Sequence, residues 1–118
     1  EAASDDSAIP VEEAAASGYR SAAWLQRQDP SRYTLQLLTL STRARAEAFI
    51  NRQSNSEEFA MYSVQRGDKR LYVITYGVYS TQYAAQQSAQ QLTGELGKIN
   101  AWVRSLRIVQ DAIRNHPQ

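Results

Sequence analysis

The sequence predicts an α+β fold: a four-stranded antiparallel sheet with two helices on one face, in the order βαββαβ of ferredoxin-like and RNP-like domains. A short extra helix is expected at each end. Three observations carry that expectation. Two β-rich runs, at 59–65 and 70–76, flank Arg66-Gly67-Asp68-Lys69, a short Gly-containing turn of the hairpin kind. A helix-favouring segment lies on either side of this hairpin, at 42–53 and 82–92. Beyond each helix stands another β-rich run, at 33–40 and 99–104.

The elements follow in chain order. Residues 1–13 carry Glu1, Asp5, Asp6, Glu12 and Glu13 and no base. Such a stretch buries too little apolar surface to order itself, so 1–18 reads as a disordered acidic linker cut from a longer protein. The domain is expected at 19–118, with its core at 33–104 and flanking helices at about 19–28 and 105–114. Ala22, Ala23, Trp24 and Leu25 gather before Asp29-Pro30, a helix-stop signal, and Trp24 and Leu25 would dock this first helix.

In the first strand, YTLQLLTL, alternation puts Tyr33, Leu35 and Leu37 on the core face and Thr34, Gln36 and Leu38 on the other. Ser41 suits the cap of the next helix, whose Ala46, Phe49 and Ile50 form one stripe. Across the hairpin, Val64 aligns with Leu71, Tyr62 with Val73 and Met61 with Ile74. Phe59, Met61, Tyr72, Ile74 and Tyr76 then share one face, and Tyr62, Val64, Leu71, Val73 and Thr75 the other. Both faces are apolar enough to need cover.

Ser80 or Thr81 caps the second helix, with Ala85, Ala89 and Leu92 inward and Gly94 and Gly97 as its stop. The fourth strand holds Trp102. Ser105 caps a final helix with Leu106, Val109 and Ile113 on one face. The expected strand order is 4-1-3-2. The helices would cover Leu35, Leu37, Met61 and Ile74, leaving the face with Gln36, Tyr62, Leu71 and Val73 to solvent or a ligand.

Composition excludes several functions. Among 118 residues there is no Cys and one His, His116, so thiolate zinc sites, Cys nucleophiles and His-based catalysis lack material. No carboxylate pair, such as Glu57/Glu58 or Glu95/Asp111, is placed for glycosidase chemistry, and there is no phosphate-cradling Gly-rich loop. No enzyme activity, metal or cofactor is expected. No apolar run approaches the ~20 residues of a membrane span. The net charge of +1 hides a split. Past the acidic opening, 13 bases face 7 acids, and 11 of the 13 are Arg. That excess is modest for a duplex-DNA binder.

The succession YTLQLLTLSTRARAEAFI, KRLYVITYGVYSTQYAAQQSAQQL and INAWVRSLRIVQDAI resembles the SPOR domain family, from Tyr33 to about Ile113. A mid-strand Gln, a Tyr-Val-x-x-x-Gly-x-Tyr-Ser element and the tail Ala-Trp-Val-Arg-Ser-Leu-Arg-x-Val-Gln carry it, the tail being similar to the DamX-type subgroup. The resemblance implies a non-enzymatic peptidoglycan-binding module. It would recognise glycan strands stripped of stem peptides and target its parent protein to the division septum. It further implies the periplasm of a Gram-negative bacterium, a parent anchored in the inner membrane by an upstream segment, and other divisome proteins as partners. Neither nucleic acid nor membrane insertion by this stretch is expected.

Carried over by position, the site residues are Gln36 on strand one, Thr39 just beyond it, Thr42 at the helix entrance and Trp102 on strand four. Leu71 stands where close relatives place an aromatic, so apolar contact would replace stacking there. Tyr62 and Val73 join them by sharing the exposed face.

The residue chemistry supports such a site. A Gln amide presents one acceptor and two donors for acetamido or hydroxyl groups, and Trp or Tyr offers a broad apolar face to a sugar ring. Each neutral hydrogen bond adds only ~0.5–1.5 kcal/mol, so micromolar affinity is expected. Yet Gln36 also suits an exposed strand position with no role, Trp102 a core residue closing the sheet, and Tyr62 an ordinary partner of Val73. Of the bases, Arg43 alone lies at the helix entrance, where it would reach the lactyl carboxylate of a bound muramic acid. Arg45, Arg52, Arg104 and Arg107 read as a solvated face.

Two alternatives stand beside this reading. A protein-interaction module would use the apolar set Leu38, Val64, Leu71 and Val73. A single-stranded RNA-binding module is less favoured, because Arg70-Leu71-Tyr72-Val73 lacks the signature Gly and both Tyr72 and Tyr76 alternate toward the helices.

Overall fold

In the computed structural model, which describes residues 18–116 and 118, hydroxyl side chains set where most helices begin. Ser21, Thr42, Thr81 and Ser105 each accept a hydrogen bond from the backbone N–H three residues on, satisfying one otherwise unpaired donor. They open α1 (Ala22–Gln26), α2 (Arg43–Asn51), α3 (Gln82–Gln90) and, last, the helix Leu106–Asn115. The cap of α2 is thus Thr42, one residue beyond the expected Ser41. Gly94 and Gly97 do more than stop α3, since they bracket a one-turn helix, α4 (Gly94–Gly97), which buries Leu96. The final helix is α5. The expected linker falls almost wholly outside the described residues.

The strands are β1 (Tyr33–Leu40), β2 (Phe59–Arg66), β3 (Lys69–Tyr79) and β4 (Trp102–Ser105), in the antiparallel order β2-β3-β1-β4. This is the anticipated α+β sheet, with the expected hairpin register of Val64 with Leu71, Tyr62 with Val73 and Met61 with Ile74. The hairpin loop is two residues long, and Gly67 takes φ +62° at its first position, as the primed turns that match strand twist require.

Two apolar clusters sandwich the sheet. On one face α2 and α3 bring Ala46, Phe49, Ile50 and Ala85 against Leu35, Leu37, Phe59, Met61 and Ile74. On the other, α1 and α5 bring Leu25, Leu106, Val109 and Ile113 against Ala60, Tyr62, Val64 and Val73. Gln110 of α5 ties these helices together by donating to the Leu25 and Gln28 carbonyls at 3.1 and 2.7 Å. The expectation of an open second face is therefore corrected over its β2–β3 half. The terminal helices answer the need of a hairpin that is apolar on both sides.

Strict alternation fails in β1, and two opposed bulges are the reason. Tyr33 pairs with Tyr79 but Leu35 with Tyr76, so β3 carries an extra residue near Gly77. Gln36 pairs with Thr75 and Leu38 with Ile74, so Leu37 is the extra residue in β1. Leu38 consequently turns to the α2 side and packs in the first cluster, against its expected placement. Buried Thr34 secures the upper bulge by donating to the Gly77 carbonyl at 2.7 Å.

Candidate functional site

The half of the sheet that the terminal helices leave open is its β1–β4 side. Here Gln36 pairs with Trp102 and Thr34 with Arg104, so the Trp102 and Arg104 side chains leave the sheet on Gln36's side. Trp102 is 60% exposed, which rules out the reading of it as a core residue. The Arg104 guanidinium lies 4.3 Å from the centre of the Trp102 ring, and its Nε donates to Gln36 Oε1 at 3.1 Å. One arginine thereby braces both neighbours. The Gln36 amide oxygen is engaged, and its NH2 group keeps two donors for a ligand.

Thr39 reaches the same face only because of the Leu37 bulge. Three residues from Gln36, it would otherwise point the opposite way. The shifted register pairs it with Val73, on the terminal-helix side, where it is exposed. Thr42 sits at the entrance of α2, exposed, with its oxygen holding the Arg45 N–H at 3.2 Å. Its hydroxyl hydrogen remains a donor, so the cap and a ligand contact are compatible.

The other expected residues divide. Leu71 is half-buried at the rim of the second cluster. Tyr62 and Val73 lie beneath the terminal helices, 6% and 4% exposed, so neither presents a side chain to a ligand. Tyr62 is the cross-strand partner of Val73. Burial pushes its phenol above the ordinary tyrosine range, and the charge of Arg104 acts the other way.

Arg104 is the residue the sequence reasoning passed over as one of a solvated set. Its signal was present: it stands two residues from Trp102 in a strand, hence on the same face. Arg43, by contrast, lies 5.2 Å from the centre of the Tyr72 ring, and Tyr72 belongs to the cluster on the α2 side. Among the described residues no group of His, Asp or Glu is arranged to hold a metal ion. The surface as a whole offers amide and hydroxyl donors, one braced aromatic ring and one positive charge.

The family model of the SPOR domain matches residues 29–105, which is 77 of the 118 residues. The match runs from just before β1 to the end of β4 and holds Gln36, Thr39, Thr42, Leu71, Trp102 and Arg104. The helices α1 and α5 lie outside it.

Proposed function

The chain belongs to the SPOR domain family, whose members are non-catalytic peptidoglycan-binding modules that act at the division septum; from that premise we propose that its β1–β4 surface binds glycan strands freed of their stem peptides. The observation that carries this reading is the Gln36–Arg104–Trp102 group, held together on the open half of the sheet. A peptide-free glycan offers hydroxyls, acetamido groups and flat C–H faces. The Gln36 NH2, the Thr39 and Thr42 hydroxyls and the Trp102 ring match these in kind. Arg104 adds a partner for the lactyl carboxylate of muramic acid, the role first given to Arg43. Leu71 supplies apolar contact at the rim.

The rest of the proposal follows from the same reading. It places the domain in the periplasm of a Gram-negative bacterium, on a parent anchored in the inner membrane, with divisome proteins as further partners. By its resemblance, the tail at 101–110 would put the chain in the DamX-type subgroup. Both alternatives lose their footing. Leu38 faces α2 and α3, and Val64 and Val73 are buried, so the apolar set of a protein-docking face is dispersed. Tyr72 and Tyr76 pack on the α2–α3 side, leaving no pair of aromatics to stack bases.

The test is a pull-down with intact peptidoglycan sacculi, with and without prior amidase digestion. Digestion is expected to increase binding, and Gln36→Ala or Trp102→Ala to reduce it while the far-ultraviolet spectrum stays unchanged. Binding that ignores stem-peptide removal would overturn the claim for denuded strands.

A further inference from the structure

Beside Trp102, where β4 meets α3, lies a shallow groove of about 520 Å³. Gln82, Gln86 and Gln90 form its helical wall, Asn100 and Trp102 part of the other, and Ala89 part of its lining. The three glutamines recur every four residues, so they stand in a row on one helix face, about 12 Å from first to last at the α-helical rise. All three are exposed, and none of their carboxamides has a hydrogen-bond partner among the described residues. A solvated helix face is ordinarily built from Lys and Glu, but α3 carries no charged residue at all. No residue lining the groove is charged either.

The two edges of the sheet differ in the same sense. The outer edge of β2 is closed. Arg20 exchanges backbone hydrogen bonds with Phe59 and Met61, Gln118 pairs its amide with Ser63 N–H and C=O, and His116 Nδ1 accepts from Gln65 N–H. Nothing comparable covers the outer edge of β4 among the described residues, and that edge borders the groove.

We infer that this groove is a second glycan subsite: a strand stacked at Trp102 continues over the β4 edge onto the row of Gln82, Gln86 and Gln90. The inference rests on the peptidoglycan reading and extends it from the sheet face to the α3 side. A neutral groove exerts no pull on a phosphate backbone or an acidic peptide, whereas unpartnered carboxamides in a row suit a polymer that repeats hydroxyl and acetamido groups. Trp102 lines the groove, and its ring belongs to the Gln36–Arg104 group, so one residue at the β4 edge joins the two surfaces.

Calorimetric titration of the full chain with two peptide-free glycans of alternating N-acetylglucosamine and N-acetylmuramic acid, a tetrasaccharide and an octasaccharide, tests this. The triple variant Gln82→Ala, Gln86→Ala, Gln90→Ala keeps helix propensity high. It is expected to weaken the octasaccharide about fivefold to tenfold and to leave the tetrasaccharide unchanged. Gln86→Glu, which preserves side-chain size, is expected to weaken the octasaccharide alone. Trp102→Ala is expected to weaken both. Equal effects of the triple variant on the two lengths, or none on either, would overturn the second subsite while leaving the sheet-face site intact. Failure of both sugars to bind the unaltered chain would overturn the peptidoglycan reading and this inference with it.

Discussion

At the scale of single residues, Arg104 organises the proposed site. Its contacts to the Trp102 ring and to Gln36 are both partly solvated, so neither alone is strong. Together they hold a flexible amide and an exposed indole in one arrangement before a ligand arrives. Arg104→Met keeps the aliphatic stem but loses both contacts. It is expected to reduce glycan affinity about tenfold while shifting stability by less than about 1 kcal/mol. Chemical denaturation and titration of the same sample separate the two effects. Tyr62 gives a contrasting expectation, because burial raises its phenol. Its share of stability is whole below the unfolded value near pH 10 and is lost as pH rises through the higher folded value. Tyr62→Phe should therefore flatten the fall in urea midpoint above about pH 10 without changing glycan binding at neutral pH.

At the scale of elements, the terminal helices are structural parts of the domain although they lie outside the family match. Leu25, Leu106 and Val109 are wholly buried against the hairpin's second face. Leu106→Ala is expected to cost about 2–5 kcal/mol, read from urea unfolding. A chain ending at Ser105 should expose Val64 and Val73 and associate, which sedimentation would detect. The β3 bulge makes a second demand. Gly77 has φ +71°, and a Cβ there would come within 2.9 Å of three Tyr79 side-chain atoms, the hydroxyl oxygen and two of the ring. Gly77→Ala should cost more than the ~1–2 kcal/mol of the left-handed backbone alone, since the Tyr79 ring must also leave its place. That ring is anchored by a 2.7 Å hydrogen bond to Ser88 Oγ, so the displacement would reach α3.

Legibility in the sequence follows the same division. Hairpin register and helix stripes could be read because each depends on neighbours within a few residues, as Val64–Leu71 and Ala46–Phe49–Ile50 do. The need to cover a second apolar face was also visible. Its solution was not, because the contacts between Leu25 or Val109 and the hairpin join segments far apart in the chain. The Leu37 bulge was invisible for a different reason. Nothing in YTLQLLTL marks an extra residue, since the compensating irregularity lies in β3 at Gly77. Without the bulge, Gln36 and Thr39 cannot share a face, so their convergence was anticipated only through the family resemblance.

At the scale of the whole molecule, charge distinguishes this binder from a nucleic-acid binder of similar topology. The +6 carried by residues 14–118 is dispersed. Arg52 pairs with Glu95 at 2.8 Å, Arg114 with Asp111, Arg20 stacks on Trp24 and Arg43 on Tyr72. The bonds from Arg52 and Gln53 hold the Glu95 carboxyl below its ordinary range, so that pair persists at neutral pH. Arg104 is the base that braces the site, and the Gln-lined groove has none. With about one ion-paired contact, raising salt fourfold should weaken glycan binding by about threefold or less, against the ~10³–10⁵ of a protein that neutralises many phosphates. Titrations at about 50 and 200 mM salt measure this directly. A steep loss would mean that dispersed arginines, and not the amide and indole surface, hold the ligand. The Arg104→Met variant sharpens the comparison, because its residual binding should show almost no dependence on salt.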